Sequence, residues 1–596
     1  MQRVAGPTPE AVDAHEHLTT SLWQRSEDRS EVLRFHDGDR WVAMSWAELA
    51  ARVRAVAAGL IASGLRPGDP VGIMSPTRPE WTIADLAVLA AAGVTVPMYE
   101  TDSAQRCAWV LGNTEARLVL AGSNELAGRV AAARDEVGLP EELLVLDEGA
   151  LDDLAARGDD DCLAELERRL EELSGDTVAS IVHTSGTTGR PKGCVLTHHN
   201  LVWTTRQALA AVEEAFGGER PSTLLFLPLA HVFARIIQFA CLEQGALLGY
   251  ARSREHLPDD LQAVQPRFLL GVPRVFEKIH ETASEQASGI AGRIFELAEG
   301  VALELATEEP GPVIRLKARL ADLLVYRRVR DSLGGQVRYA LSGGGPISDD
   351  LVHFLGATGL TVIQGYGLTE TSAPATIDSP EDPRVGTVGL PLPGVEIAID
   401  DQGEVLVRGP NVFQGYHRDP DATAETLEEE EGWLHTGDLG ELDADGYLRI
   451  TGRLKEVIVT AGGKNVAPEP LEEQLRAHPL IAEPVVIGDR QPFIAALITL
   501  DPERLESFAR DHGLPAEDED LHEHDRVKDE VAQAVGEANR QVSKAESIRE
   551  FRILERPFRI EDDELTPTRK PRRATILERF SDVVDDIYDE DAEPGS

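Results

Sequence analysis

Lysine is scarce in this chain. Only eight of its 58 basic residues are lysines, the others are arginines, and no lysine precedes Lys192. A lysine ammonium is a compact charge on a flexible stem, whereas the arginine guanidinium is planar and rigid, so the two differ at a binding site. We therefore expect the lysines that fall within motifs to have roles that arginine would not fill.

Cysteine is also rare. The four cysteines have no paired spacing and occur at Cys107, Cys162, Cys194 and Cys241. This scatter argues against a disulfide framework and against a zinc site, and it is typical of a reducing compartment. We therefore expect a cytoplasmic protein in which Cys194 is a small, buried apolar residue.

Long hydrophobic runs and excess positive charge are both missing. No apolar run is long enough to span a bilayer, and residues 1–30 contain no apolar signal segment. The net charge of −46 argues against nucleic acids and anionic membrane surfaces as partners. Transient membrane contact is left open. The composition is compatible with a saline habitat and with a GC-rich genome alike.

The hydrophobic pattern predicts an α/β protein of more than one domain, because 596 residues exceed what one core normally supports. Helical patterns alternate with short apolar runs at residues 71–74 and 118–120. A helical insert is predicted over about 275–333, and a smaller α+β pattern follows Gly452. Seven acids among the last sixteen residues predict a solvated, disordered tail at 581–596.

The most informative segment is Thr184-Ser185-Gly186-Thr187-Thr188-Gly189-Arg190-Pro191-Lys192-Gly193. Its glycines let backbone N–H groups converge, and its hydroxyls and lysine add donors and positive charge, which suits a polyphosphate. The apolar run at 178–182 predicts a buried strand that ends at this loop. A flexible linker is the main alternative, but the preceding strand and the Pro-Lys-Gly ending argue against it. The Walker template fails because Lys192 follows proline and precedes glycine.

Five further motifs follow in the chain. They are Ser342-Gly343-Gly344-Gly345-Pro346, Gln364-Gly365-Tyr366-Gly367-Leu368-Thr369-Glu370, Trp433-Leu434-His435-Thr436-Gly437-Asp438, Gly452-Arg453-Leu454-Lys455 and Leu565-Thr566-Pro567-Thr568-Arg569-Lys570. Together with the loop at 184–193, they resemble in the same order the motifs of the adenylate-forming superfamily, which includes acyl-CoA synthetases, firefly luciferase and nonribosomal peptide adenylation domains. The resemblance covers nearly the whole chain. It implies a large N-terminal domain of several subdomains (1–452) and a small, mobile α+β C-terminal domain (453–580) with a hinge at 453–456.

The resemblance also implies binding of ATP, Mg²⁺ and coenzyme A. The ATP phosphates would be held by Thr184, Ser185, Gly186, Thr187, Thr188, Gly189 and Lys192. The rest of the nucleotide would contact Gly343, Gly344, Gly345, Gly365, Tyr366, Gly367 and Thr369, with Asp438 and Arg453 at the ribose. Mg²⁺, which prefers hard oxygen ligands, would be bound by Glu370 and Thr184.

The same resemblance implies the catalytic roles. Lys570 would bridge the substrate carboxylate and the α-phosphate in the first step. Rotation about the hinge at Lys455 would then withdraw Lys570 and bring the loop containing Gly463 and Lys464 toward the coenzyme A channel. His231 lies in the acyl-pocket motif and would gate or shape the channel, with a core histidine as the alternative.

Residues 227–235 indicate the substrate class. Amino-acid-activating relatives usually place an aspartate in this segment, whereas this chain has apolar residues, His231 and Arg235. An uncharged acyl tail fits better, and the helical insert resembles that of long-chain fatty acid:CoA ligases. The expected reaction is AMP-forming activation of a fatty acid to acyl-AMP and then to acyl-CoA. A fatty acyl-AMP ligase that loads a carrier protein and a non-catalytic acyl- or nucleotide-binding scaffold remain the alternatives.

Overall fold

The computed structural model describes residues 2–38, 40–184, 191–217, 221–253, 255–285, 290–307, 311–428, 430–461, 464–515, 520–544, 546–566 and 569–589. The first twenty described strands are, in chain order, β1 (Gln2–Ala5), β2 (Glu31–Asp37), β3 (Arg40–Ser45), β4 (Pro70–Met74), β5 (Val94–Met98), β6 (Leu118–Ala121), β7 (Glu142–Val145), β8 (Val178–His183), β9 (Gly193–Thr197), β10 (Ser222–Leu225), β11 (Leu247–Tyr250), β12 (Phe268–Gly271), β13 (Tyr339–Ser342), β14 (Thr361–Leu368), β15 (Ala373–Ile377), β16 (Leu390–Pro391), β17 (Glu396–Ile399), β18 (Glu404–Arg408), β19 (Leu434–Leu442) and β20 (Leu448–Arg453). They are followed by β21 (Ile458–Val459), β22 (Asn465–Val466), β23 (Ile481–Ile487), β24 (Ile494–Leu500) and β25 (Ile548–Ile553).

A six-stranded sheet carries the predicted phosphate loop. Its strand order is β7-β6-β4-β5-β8-β9, and all neighbours are parallel except the antiparallel pair β8 and β9. The central strands are apolar along their whole length, as expected for parallel strands that are covered on both faces. The strand predicted at 178–182 is confirmed as β8, so the loop joins two adjacent strands at one edge of the sheet.

Two further sheets bring the glycine-rich motifs together. One has the order β10-β11-β2-β3, and the other has the order β12-β13-β14-β15-β16. Strands β12, β13 and β14 are parallel, and Ser342 pairs in register with Gln364. Because the carboxyl ends of parallel strands share one edge, the motifs that begin at these two residues leave the sheet side by side.

A five-stranded sheet positions the predicted ribose-binding residues. Its order is β1-β17-β18-β19-β20, and all its neighbours are antiparallel. Asp438 on β19 lies directly opposite Arg453 on β20. The pairing register therefore places an acid and a base from two separate motifs next to each other.

Helices cover these sheets and build the α/β architecture that the sequence predicts. Two of them begin with a reciprocal capping box, Ser45 with Glu48 and Thr197 with Asn200. The α-helices span Thr20–Gln24, Trp46–Ala62, Pro79–Ala90, Ala104–Thr114, Asn124–Val137, Ala150–Arg157, Asp160–Glu172, His198–Ala211, Glu213–Phe216, Val232–Gln244, Leu257–Val264, Pro273–Glu285, Ile290–Thr307, Pro312–Ala321, Arg327–Ser332, Asp349–Ala357 and Pro420–Thr426. No helix in the described part of the chain is both long and apolar enough to cross a membrane.

The predicted helical insert is helical. After Pro273–Glu285 and Ile290–Thr307, one continuous helix runs over 312–332, with a π-helical turn at Asp322–Tyr326. The hydroxyl of Tyr326 donates to the carbonyl of Ala298 at 2.7 Å and joins this helix to its predecessor. We call the helix over 312–332 the insert helix.

The last part of the chain has a smaller core of its own. Strands β23, β24 and β25 form one sheet, β21 and β22 form a hairpin, and the helices span Glu469–Arg476, Pro502–His512, Asp525–Ala538, Arg573–Arg579 and Ser581–Asp589. The prediction of a disordered tail from 581 onward is wrong for Ser581–Asp589. Ile587 is buried there and Tyr588 stacks on Phe493 at 5.0 Å, because apolar residues recur at helical spacing between the acids.

This last part rests on helix Pro273–Glu285. Arg504 lies 3.6 Å from Glu281, and Lys278 lies 3.9 Å from Glu503, in each case between nitrogen and oxygen. The second pair is largely exposed to solvent. The contact between the two parts of the chain therefore includes charged groups that water reaches.

Candidate active site

The base of the phosphate loop is closed by hydrogen bonds. The N–H of Thr184 donates to the carbonyl of Lys192 at 3.0 Å. Helix Ala104–Thr114 supports both ends, because Trp109 donates to the carbonyl of Pro191 at 2.8 Å and Arg106 to that of Thr184 at 3.4 Å. The predicted phosphate ligands Ser185, Gly186, Thr187, Thr188 and Gly189 lie outside the described residues.

Tyr416 connects this loop to the predicted metal ligand. The Nζ of Lys192 lies 4.7 Å from the centre of the Tyr416 ring, and the Tyr416 hydroxyl donates to Oε1 of Glu370 at 2.8 Å. Backbone hydrogen bonds from Val195 to Gly415 and from His417 to Gly193 hold the tyrosine segment along β9. The sequence analysis missed Tyr416, since its partners are distant in the chain.

Glu370 is a partly buried carboxylate without an ion-pair partner in the described part of the chain. Desolvation raises its pKa, the Tyr416 hydroxyl opposes that rise, and the negative charge of Asp438 adds to it. A partly desolvated carboxylate of this kind gains from a cation, so the residues present fit Mg²⁺. Cys194 is fully buried beside Glu370, as predicted, and burial raises the pKa of its thiol.

Asp438 is the centre of a second cluster. Its Oδ2 accepts a hydrogen bond from the Tyr366 hydroxyl at 2.7 Å, and its Oδ1 lies 3.2 Å from Nε of Arg453. Burial raises the pKa of the Tyr366 phenol well above its ordinary value, and the charge of Asp438 adds to this rise, so that the hydroxyl remains a donor. The cluster presents an oriented carboxylate at the edge of the site.

Lys570 lies at this same cluster. Burial lowers the pKa of its ammonium, the nearby Arg453 lowers it further, and Asp438 opposes the change. Its own backbone is fixed by a tight turn, in which Lys570 N–H donates to Oγ1 of Thr566 at 2.9 Å and Thr566 N–H donates to the carbonyl of Lys570 at 2.8 Å. The last part of the chain therefore holds Lys570 within range of the charges of Arg453 and Asp438.

The glycine-rich motifs contain two positions that favour or require glycine. Gly344 adopts a φ of +80°, which favours glycine. A Cβ at Gly367 would lie 1.7 Å from the carbonyl oxygen of Ala373, so this glycine is required by the close approach of β14 and β15. Three other predicted ligands, Gly343, Gly345 and Gly365, lie in the same two motifs, and Thr369 begins the 3₁₀ turn that carries Glu370.

His231 caps the helix Val232–Gln244. Its Nδ1 accepts a hydrogen bond from the N–H of Phe233 at 3.1 Å, which leaves Nε2 to carry the proton in the neutral ring. Burial lowers its pKa to about 4, with a further contribution from the charge of Lys570. Arg235, in the same segment, is fully buried and paired with Asp85 at 2.5 Å.

The predicted hinge and coenzyme A residues lie apart from these clusters. Lys455 is exposed in the 3₁₀ turn Leu454–Glu456, directly after Arg453. Lys464 lies in the hairpin of β21 and β22, and its Nζ is 3.2 Å from Glu546. Gly463 lies outside the described residues. Lys570 therefore lies close enough to the Asp438 cluster for their charges to interact, whereas Lys455 is exposed and Lys464 pairs with Glu546.

Comparison with known proteins identifies the family. The model of the AMP-binding enzyme family matches residues 22–417, and the model of the AMP-binding enzyme C-terminal domain matches residues 455–592. The long-chain-fatty-acid–CoA ligase FadD15 of Mycobacterium bovis is 44% identical over 605 aligned positions, which cover 99% of this chain and 100% of that protein. The human long-chain-fatty-acid–CoA ligase ACSBG1 is 32% identical, with 94% and 83% covered.

A solved structure shows the same fold. The O-succinylbenzoate coenzyme A synthetase MenE of Bacillus subtilis, in complex with ATP and magnesium ion, superposes with a TM-score of 0.67. It is 22% identical, and the match covers 93% of this chain and 98% of that one. With six motifs in order, a docked lysine and both family models matched, the chain belongs to the AMP-binding family of adenylate-forming enzymes.

Proposed function

We propose that this protein is a long-chain fatty acid:CoA ligase that forms acyl-AMP from a fatty acid and ATP, and then acyl-CoA and AMP. The observation that supports the proposal is the set of six motifs in one order, in which Asp438 pairs with Arg453 at 3.2 Å and Lys570 is near enough for its charge to interact with both. The mycobacterial relative that is 44% identical over its full length bears the name of this activity. The boundaries 1–452 and 453–580, with a hinge at 453–456, belong to the same proposal.

In the first step, a carboxylate oxygen of the fatty acid attacks the α-phosphorus. The bond from that phosphorus to the bridging oxygen breaks, and pyrophosphate leaves with the electron pair. The carboxylate and the α-phosphate are both negatively charged and repel each other. Lys570 would place a positive charge between them and so lower the barrier to attack. The ammonium is desolvated in the docked state, so anionic substrates would restore the pKa that burial lowers.

The nucleotide would be held by the two clusters described above. Asp438 would accept hydrogen bonds from the ribose hydroxyls, and Arg453 would keep that carboxylate oriented. Lys192 and the loop at 184–193 would stay with the β- and γ-phosphates as pyrophosphate leaves. Bound Mg²⁺ would neutralise phosphate charge, with Glu370 and Thr184 as the protein ligands.

In the second step, the thiol sulfur of coenzyme A attacks the acyl carbonyl, the carbon–oxygen bond to AMP breaks, and the thiol proton leaves to solvent. Lys570 would block the approach of the thiol after the first step, so we infer that rotation at the turn Leu454–Glu456 removes it. Lys464 is half-exposed and pairs with Glu546, so the rotation could carry it to the entrance for coenzyme A at little cost.

The acyl tail would be uncharged. Arg235 is the cation nearest to His231 along the predicted acyl segment. Its charge is neutralised by an ion pair with the buried Asp85. The segment then offers no free charge for a polar substrate tail, which supports a fatty acid. The four free cysteines support a reducing compartment, and we place the protein in the cytoplasm.

The proposal is tested with the purified chain, ATP, Mg²⁺, coenzyme A and a series of fatty acids of increasing length. We expect the acyl-CoA thioester, with the highest kcat/KM for long chains. Pyrophosphate release without a coenzyme A thioester would favour the acyl-AMP ligase that loads a carrier protein. Absence of pyrophosphate exchange would favour the non-catalytic scaffold.

A further inference from the structure

Exposed apolar side chains are concentrated in the helical insert. Of the nine large hydrophobic side chains that are exposed among the described residues, seven belong to this insert: Leu297, Leu303, Val313, Leu316, Leu320, Leu323 and Leu324. The exposed fraction reaches 70% at Leu297 and 68% at Val313. Isolated exposed leucines are common on monomers, but a contiguous group of them marks an interaction surface.

The insert helix has two apolar faces. The inner face packs into the core through Ala321, Val325, Tyr326 and Val329, all of which are buried. The outer face, which we define as Val313, Leu316, Leu320, Leu323 and Leu324, recurs at spacings of three and four residues and faces solvent. Packing against the rest of the protein requires only the inner apolar face, so the outer face has no partner among the described residues.

Positive charge flanks the outer face. The insert helix contains six basic side chains and two acids, Asp322 and Asp331, in a chain whose net charge is −46. Three of these bases, Arg315, Arg319 and Arg328, are exposed and form no ion pair with any described residue. The basic character of this face is therefore local, and it is available to an anionic partner.

We propose that the outer face docks the protein on the surface of an anionic lipid bilayer, with the insert helix lying in the interface. Leucines on one side and arginines along its flanks are the features of helices that lie in a membrane surface. At 1.5 Å per residue, the outer face from Val313 to Leu324 offers a contact about 17 Å long. This inference rests on the proposed function, because a long-chain fatty acid partitions into bilayers and a docked enzyme would meet its substrate there.

A second copy of the chain is the competing occupant of the outer face. A two-fold dimer through this face would place the same residues of both copies against each other. The arginine flanks of the two copies would then meet, which is unfavourable for like charges. The charge distribution therefore favours lipid over self-association.

The test is sedimentation of the full chain with vesicles, without ATP or coenzyme A. We expect binding to vesicles of phosphatidylcholine and phosphatidylglycerol at 7:3, much weaker binding to phosphatidylcholine alone, and loss of binding as salt is raised. The apolar variant Leu316→Ser/Leu320→Ser and the charge variant Arg315→Glu/Arg319→Glu/Arg328→Glu should each lower the partition coefficient by about tenfold or more. Leu320→Trp should raise it, because tryptophan favours the interface.

The matched control is Arg29→Glu/Arg540→Glu/Arg559→Glu, which reverses three exposed arginines outside the insert. It should bind anionic vesicles like the unmodified chain, apart from a small effect of net charge. An equal loss in the control, or no binding by the unmodified chain, would overturn the proposal. So would a dimer in sedimentation equilibrium that the apolar variant dissociates while vesicle binding is unchanged.

Failure of the docking proposal is distinguishable from failure of the proposed function. The vesicle assay reports lipid binding alone, and thioester formation from a fatty acid dissolved without lipid reports catalysis alone. Vesicle binding without thioester formation keeps the docking proposal and rejects the ligase. Thioester formation without vesicle binding does the reverse.

Discussion

Lys192 and Tyr416 form a cation–π contact in which the ammonium lies 4.7 Å from the ring centre. The same tyrosine donates its hydroxyl hydrogen to Glu370 at 2.8 Å. One aromatic side chain therefore links the residue expected to hold the phosphates to the residue expected to hold the metal. A shift of the Lys192 ammonium or of the Glu370 carboxylate would therefore move the Tyr416 ring that contacts both.

Tyr416→Phe tests this link. The ring and its contact with Lys192 remain, but the carboxylate of Glu370 loses its donor. A hydrogen bond to a charged group contributes about 1.5–3 kcal/mol, so we expect ATP–pyrophosphate exchange to fall by roughly tenfold or more. The matched control is Tyr339→Phe, whose hydroxyl makes no hydrogen bond with the described residues, and which should leave the exchange rate unchanged. Equal rates in the two variants would reject the role of Tyr416.

Lys570→Ala separates the two half-reactions. Removal of the ammonium beside Asp438 and Arg453 should lower the rate of acyl-AMP formation by more than about a hundredfold. Thioester formation from supplied acyl-AMP and coenzyme A should be within a few fold of the unmodified protein. Lys544→Ala, which removes an exposed lysine elsewhere, is the control. If both half-reactions fell together, Lys570 would not be specific to the first.

Lys455→Pro tests the hinge. Proline fixes φ at its own position and restricts the preceding Leu454, so rotation within the turn Leu454–Glu456 should be hindered. We expect acyl-AMP formation to persist in single-turnover kinetics, while thioester formation falls about tenfold or more. Lys455→Ala removes the charge and keeps the backbone free, so it should retain both steps. A hinge elsewhere would be indicated by normal thioester formation in the proline variant.

His231 should be neutral across the working pH range. Burial holds its pKa at about 4, below its ordinary value of 6.5. The ratio of activities between the unmodified protein and His231→Asn should therefore be constant from pH 5.5 to 8, because asparagine keeps a cap acceptor for Phe233. An inflection of that ratio near pH 6.5 would contradict the assignment.

The same lowered pKa of His231 has a consequence for stability. Between pH 4 and 6.5 the unfolded chain binds a proton that the folded chain excludes, so acidification over this window destabilises the folded protein. His231→Asn removes this contribution. In denaturant unfolding, the difference in unfolding free energy between the two proteins should shift in favour of the variant as pH falls through that window.

Local patterns predicted much of this molecule. Strand β8 and the helices of the insert follow from runs and periods of apolar residues, which depend only on neighbours in the chain. The catalytic role of Lys570 comes from the resemblance to known motifs and remains a prediction. The fold class could also be predicted from local patterns, since alternating helical and strand patterns favour an α/β layout.

Other features depend on contacts that no local pattern reveals. Tyr416 meets Glu370 across 46 positions of sequence, through strand pairing along β9. The many acids of Ser581–Asp589 favoured the prediction of disorder. The segment is helical because Ile587 is buried against a sheet that is distant in the sequence. Cys194 illustrates the opposite case, in which a small side chain in a mostly apolar strand could be assigned to the core from the sequence, and it is buried.

The ion pairs between helix Pro273–Glu285 and the last part of the chain set how easily the two surfaces separate. Exposed pairs such as Lys278 with Glu503 contribute only about 0–1 kcal/mol each, since water solvates the partners almost as well when they are apart. Docked and undocked arrangements then differ little in energy from this contact, and bound ligands decide between them. In the proposed two-step reaction, exchange of pyrophosphate for a thiol substrate would shift the populations of the two arrangements, so that the bound ligand would set the order of the steps.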